Sequence, residues 1–252
     1  MKPVSKFSII ITVIAVVIIG WIVFTHHDTQ TPLNTTSDPT MPDVQATWPT
    51  VEIERKTIND SNQYYSIEAM YPVTKDTALN DKFKAFVEDL IAQFKTDTSW
   101  VMDPTIGSAS EGELLLDITY REERNAVADN YIFSITTYTG GAHGLQVTRT
   151  FSFDQYGAPI ALTDLFSNAD AGLKSVAMFV EGEIIKKKIA DTEWIKDGTA
   201  PREENYRNFV VGETGVTFIF DPYQAGPYSA GIQNILVPLS VFKSNANTTL
   251  FR

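Results

Sequence analysis

Between residues 137 and 147 the chain reads TYTGGAHGLQV. His143 is the one histidine outside the adjacent pair His26 and His27, and it stands among Gly140, Gly141 and Gly144, with Tyr138 just before them. An imidazole in such a turn has three uses: a general base, a ligand contact, or a ring that hydrogen-bonds neighbouring backbone and fixes the turn. Hydrolysis needs a companion serine, a carboxylate pair or further metal ligands. The sequence has no G-x-S-x-G, no H-E-x-x-H and no phosphate loop. No catalytic residue, metal site or cofactor is therefore assigned, and with no cysteine the chain has neither thiol chemistry nor disulfides. His143 and Tyr138 remain as candidate ligand contacts.

A second candidate is DPYQAGPYSAG, from Asp221. Tyr223 and Tyr228 either form an aromatic platform for a sugar ring or are the packed residues of a long structured loop. Asp117, Glu122 and Glu123 lie in or near a strand, where acidic residues can flank a glycosidic bond, yet nothing in the sequence fixes their separation and solvated strand positions account for them. His26, His27 and Asp28 lack a third spaced ligand and read as part of a tether. Asn34 and Asn247 each begin an N-x-T triplet, which matters only in a glycosylating host.

These side chains need elements to hold them. ELLLDITYREER puts Leu114, Leu116, Ile118 and Tyr120 on one strand face, and YIFSITTY does the same with Tyr131, Phe133 and Ile135. After the glycine turn, LQVTRTFSF carries Leu145, Val147, Phe151 and Phe153, again odd-numbered. For both odd sets to share a face, cross-strand partners must sum to an even number, so the connection holds an odd number of residues; three or five fit. Gly140, Gly141 and Gly144 supply the left-handed positions of such a loop. The three runs predict an antiparallel meander.

Elsewhere VEIERKTI and QYYSIEAMYPV read as strands, with Ile67, Ala69 and Tyr71 on one side of the second. Leu79, Phe83, Phe86, Val87, Leu90, Ile91 and Phe94 recur at threes and fours and predict a helix over about 77–96 that covers a sheet. PIALTDLF reads as a short extended segment. A helix follows over about 170–190, buried through Leu173, Val176, Ala177, Val180 and Ile184, with Ser167 and Asp170 as caps and Lys186, Lys187 and Lys188 favouring its C-terminal end. Residues 191–208 look polar and irregular, and NFVVGETGVTFIF and IQNILVPL read as strands.

FSIIITVIAVVIIGWIVF, residues 7–24, carries no charge and is about the roughly 18 residues a helix needs to cross a bilayer. Lys2 and Lys6 precede it and the next stretch has neither lysine nor arginine, which places the N-terminus in the cytoplasm and the bulk outside. A cleavable signal peptide, giving a secreted protein, is the alternative, although WIVFTHHD offers no small-x-small site. Residues 25–50 have the composition of a flexible tether. Lys2 and Lys6 are the only charges before residue 25, so the 20 basic and 31 acidic groups of the chain leave 18 against 31 beyond it, a net charge of −13. That balance argues against nucleic acid and anionic lipid as partners of the external part; it suits a cationic partner, or simply an acidic surface that keeps a protein soluble.

YTGGAHG from Tyr138, TDLF from Thr163 and GVTFIFDPYQAGPYSAGIQNILVPL from Gly215 together resemble the bacterial extracytoplasmic tandem of a PdaC-type domain followed by an RsiV-like domain of unknown function. The resemblance covers about residues 50–245. Members of that group include anti-sigma factors whose external part binds lysozyme, and proteins with a C-terminal polysaccharide deacetylase domain. About six residues before the apolar run and few after the last strand leave room for neither a sigma-binding domain nor a deacetylase domain, so neither activity is carried over. The expected organisation is a cytoplasmic stub at 1–6, a signal anchor at 7–24, a linker at 25–50, a PdaC-type domain at 51–155 and an RsiV-like domain at 156–252. The fold class is α+β, two packed units of antiparallel sheet each covered by one helix. The expected function is a non-enzymatic binding module of the cell envelope whose ligand is a cell-wall glycan, peptidoglycan, or a wall-acting protein such as lysozyme. The rival is an envelope hydrolase using His143 beside a carboxylate.

Overall fold

The computed structural model describes residues 54–99 and 114–251. The predicted anchor and tether lie outside the described residues. Five strands form one sheet in the order β1-β2-β3-β4-β5: β1 Glu54–Ser61, β2 Tyr65–Val73, β3 Leu114–Arg124, β4 Ala128–Tyr138 and β5 Leu145–Asp154. The meander β3-β4-β5 is antiparallel, as its alternation predicts.

The expected all-antiparallel sheet is corrected at one place, because β2 and β3 pair in parallel. The cause is the 21-residue helix Thr77–Asp97 between them. Antiparallel neighbours can be joined by a tight turn, whereas a crossover helix returns the chain to the same end of the sheet and sets the next strand parallel. Asp76 caps that helix by accepting from the N–H groups of Ala78 and Leu79 at 2.8 and 3.2 Å. Phe83, Val87, Ile91 and Phe94 are buried, as the periodicity requires, against Ile67, Leu116, Ile118, Phe133 and Phe153. Phe83 lies 4.7 Å from the ring of Tyr131 and 5.6 Å from that of Phe133, spacings at which aromatic pairs attract beyond their area.

The second sheet has the order β6-β7-β8, with β6 Phe209–Val211, β7 Gly215–Phe220 and β8 Gln233–Pro238, all antiparallel. A second helix, Ala169–Lys187, buries Leu173, Val176, Ala177, Val180 and Ile184 in the cluster that holds Phe218, Phe220, Ile235 and Val237. Its cap is Asn168, which accepts from Ala171 N–H, rather than Ser167 or Asp170; Ser167 donates instead to the Ser244 carbonyl. The helix stops at Lys187 because Lys188 turns left-handed, φ 55°.

Two further expectations are corrected. PIALTDLF is not extended throughout: Leu162–Leu165 is a 3-10 turn, closed by Asp164 accepting the Ala161 N–H at 2.8 Å. Residues 191–208 are not irregular but hold a short helix, Thr192–Gly198, and a 3-10 turn, Glu203–Asn205. The short helix buries Ile195 as its one large apolar side chain, too little to leave a periodic trace.

The second sheet lies against the face of the first that the Thr77–Asp97 helix leaves free, and Ile132, Val210 and Ile219 pack between them. Asn130, fully buried, joins the two: its amide donates to the carbonyls of Val211 and Glu123, and its oxygen accepts from Val211 N–H and Ser152 Oγ. A side chain thus supplies the ladder bonds that a strand neighbour would give Val211.

Candidate functional site

The glycine turn obeys the parity argument. The last cross-strand pair is Thr137 with Leu145 and every pair of the hairpin has an even sum, so residues 138–144, an odd number, form the connection. It is longer than the three or five expected. Gly140 and Gly141 take φ of 90° and 128°, where a side chain is strained. Gly144 serves a different end: a Cβ there would stand 3.1 Å from the Thr137 carbonyl oxygen. Tyr138 closes the turn by donating its hydroxyl to Gly141 O at 3.0 Å.

The loop after β7 is anchored before it reaches the surface. Asp221 accepts the outward N–H of Thr148 on edge strand β5 at 2.7 Å and takes weaker contacts from Arg149 and Asn208. Burial pushes the Asp221 carboxyl above the usual carboxylate range, against the opposing pull of Thr148 N–H and Arg149. Gln224 donates to the carbonyls of Gly198 and Asn205. Gly198 is needed for this approach, since a Cβ on it would lie 2.0 Å from Gln224 O. Between these anchors Tyr223 is held at φ 70°, a left-handed conformation costly for an aromatic residue, and Trp194 Nε1 fixes its carbonyl at 3.2 Å.

The two predicted regions, some 80 residues apart in sequence, meet here. His143 stacks on Tyr228 with ring centroids 3.8 Å apart and planes at 21°. Tyr223 lies 5.9 Å from Tyr228, and its hydroxyl is 3.5 Å from His143 Nε2. His143 Nδ1 is 2.9 Å from the Gly144 carbonyl, which can only accept, so in this arrangement Nδ1 carries the proton and Nε2 is free to accept from Tyr223. The rings are not packed away: Tyr223 is 49% exposed, Tyr228 38%, and the adjacent Trp194 37%. Of the four predicted contacts, His143, Tyr223 and Tyr228 form one cluster, while Tyr138 is occupied with its own turn. Trp194 was missed because it sits in the stretch read as irregular; Asp191, which accepts from Trp194 N–H as a helix cap, was the available signal.

The cluster is a partly exposed aromatic platform. Clefts of 670, 730 and 570 Å³ open elsewhere, lined by other residues. Acids of the 730 Å³ cleft are engaged in structure, Asp154 with the N–H groups of Tyr156 and Ala158, Asp164 with Ala161, and Glu213 with Ala126. Glu122 is not the solvated strand residue expected. It lies half-buried beside Arg124, with Oε1 buried and unpartnered, and burial raises its pKa. Among the described residues, no three His, Cys, Asp or Glu side chains are grouped to hold a metal ion.

The fold and this surface define an α+β protein of two sheet-and-helix layers joined at a buried seam, with an aromatic platform at one end of it. A family model described as protein of unknown function (DUF3298) matches residues 163–240, a span that includes Trp194, Tyr223 and Tyr228 but not His143. The chain is 27% identical over 248 residues to the peptidoglycan-N-acetylmuramic acid deacetylase PdaC of Bacillus subtilis, covering 96% of this chain and 50% of that protein. It therefore spans about half the length of that relative. It is also 28% identical over 163 residues to immunogenic protein MPT64 of Mycobacterium tuberculosis, covering 63% of this chain and 70% of that one. A DUF3298-family crystal structure from Bacteroides fragilis superposes with a TM-score of 0.55 at 20% identity, over 79% of this chain and 96% of the other, a likeness of fold.

Proposed function

We propose that this protein is a membrane-anchored, extracytoplasmic binding module of the bacterial cell envelope, held by residues 7–24, and that its aromatic platform takes a cell-wall glycan. The observation that carries this reading is the stack of His143 on Tyr228 beside Tyr223, three exposed rings from two distant turns, one held at a strained φ. Sugar rings present apolar C–H faces that stack on aromatic faces, and polar ring edges that exchange hydrogen bonds with groups such as the phenol hydroxyls here. The similarity to a deacetylase named for peptidoglycan supports the choice of ligand.

A second reading, a wall-acting protein such as lysozyme as ligand, is favoured by the acidic excess of 31 Asp and Glu over 20 Lys and Arg. A hydrolase has less support, because the His143 nitrogens face the Gly144 carbonyl and the Tyr223 hydroxyl rather than a carboxylate. Calorimetry of the detergent-solubilised chain with soluble peptidoglycan fragments and with lysozyme tests both readings. Glycan heat that disappears in Tyr228→Ala is the expected result. Heat with lysozyme alone, weakening with salt, would favour the second reading, and no heat with either would sink both.

A further inference from the structure

The face of the five-stranded sheet opposite the Thr77–Asp97 helix is covered by the second sheet only near β4 and β5, and the register shows what the rest displays. One row crosses all five strands: Asn59 opposite Glu68, Glu68 opposite Asp117, Asp117 opposite Thr136, and Thr136 opposite Gln146. Every member is polar and reached by solvent. At roughly 4.8 Å per strand the row is about 19 Å long, the reach of several sugar units. It ends at the β4–β5 hairpin, whose turn carries His143.

The middle of the row is where folding alone gives no reason for the residues. Glu68 and Asp117 are direct neighbours on adjacent strands, and like charges so placed destabilise a sheet. Among the described residues neither has an ion-pair partner. Arg121, on the same face of β3, is four residues from Asp117, roughly 13 Å along the strand, and is paired with Glu123. An uncompensated pair of carboxylates in a row of amides and a hydroxyl is complementary to a chain that brings hydroxyl groups along its length and positive charge at its centre.

We infer that this row is a glycan-binding face continuous with the aromatic platform, and that it selects a glycan carrying free amino groups, glucosamine units rather than N-acetylated ones. The inference rests on the glycan reading of the platform and adds the residues that extend it and the sugar chemistry that they prefer. A protonated amine between Glu68 and Asp117 relieves their repulsion. An acetamide carries no charge and does not.

The test is calorimetry of the detergent-solubilised full chain with a glucosamine hexamer and an N-acetylglucosamine hexamer, at low and moderate salt. The expected result is about tenfold tighter binding of the glucosamine hexamer, a preference that shrinks with salt. The double variant Glu68→Gln, Asp117→Asn, which keeps shape and removes the repulsion, is expected to erase the preference by bringing the affinity for the glucosamine hexamer down to that for the N-acetylglucosamine hexamer. Tyr228→Ala is expected to weaken both. Equal affinities in the wild type, or a preference that survives the double variant, would overturn the inference and leave the platform reading standing. No binding of either hexamer overturns both.

Discussion

Two places in this molecule bring polar side chains from the five-stranded sheet and the second layer together, and they differ in burial and in hydrogen bonding. At the seam, Asn130 is fully buried and makes four hydrogen bonds between 2.8 and 3.0 Å, two of them to Val211. Each atom there has its partner, because an unpaired polar group taken from water costs about 1–3 kcal/mol. On the platform, His143, Tyr223 and Tyr228 stay in solvent and share little beyond a stack and one long 3.5 Å contact. The seam is what the fold needs in order to close; the platform is exposed apolar area that the fold does not need. Polar atoms that satisfy one another explain architecture, whereas the exposed rings, one of them on strained backbone, are what the proposed ligand rests on.

The comparison breaks most readily at the seam. Asn130→Leu takes the side-chain partner from Val211 N–H, Ser152 Oγ and the Glu123 carbonyl, while the Val211 carbonyl keeps the Asn125 amide, and a loss of about 3–5 kcal/mol is expected in denaturant unfolding, two or more desolvated groups at about 1–3 kcal/mol each. A loss under about 1 kcal/mol would mean that the Asn130 bonds add little to what Ile132, Val210 and Ile219 and the other cross-layer bonds already supply. Gly198→Ala is expected to cost about 1–3 kcal/mol, since its Cβ would meet Gln224 O at 2.0 Å, and to weaken ligand binding by shifting the Tyr223 loop. Unfolding and binding measured on the same sample separate the two effects.

Asp221 sharpens the contrast through pH. Its folded-state pKa is raised by burial, so the folded protein holds this proton to higher pH than the unfolded chain does. Its contribution to stability is complete below the ordinary carboxylate value and is lost as pH rises through the raised one. Asp221→Asn does not titrate, so the stability difference between variant and wild type should move in the variant's favour across that window, just above the ordinary carboxylate range. A difference independent of pH there would contradict the assignment. The smallest expected effect on stability is at the platform, where Tyr228→Ala should change unfolding by less than about 1 kcal/mol, as for a partly exposed side chain outside the core.

Much of this architecture was legible in the residues, for identifiable reasons. The helix predicted over 77–96 is Thr77–Asp97, because its seven apolar positions keep one period against one sheet. The hairpin parity followed from odd-numbered apolar positions on both sides of the glycine turn. The parallel pairing of β2 and β3 escaped because strand composition does not carry direction; the helix between them was the available clue. The helix Thr192–Gly198 escaped because seven residues with one large buried side chain leave no period, and Trp194 was lost with it. His143, Tyr223 and Tyr228 were each chosen on local grounds, but their meeting depends on Asp221 holding its loop to β5, a tertiary bond with no local signature. The polar row from Asn59 to Gln146 is likewise a property of register, with members scattered over 88 positions.

The proposed division of labour, platform for a ligand and seam for the fold, is tested by one paired measurement on Tyr228→Ala: the thermal unfolding midpoint, and calorimetric affinity for soluble peptidoglycan fragments. A midpoint within a few degrees of wild type is expected, with affinity lower by about tenfold or more, the loss of a stacking contact worth about 1.4 kcal/mol. Unchanged affinity, or a collapse of stability with the folded fraction still binding as before, would contradict it.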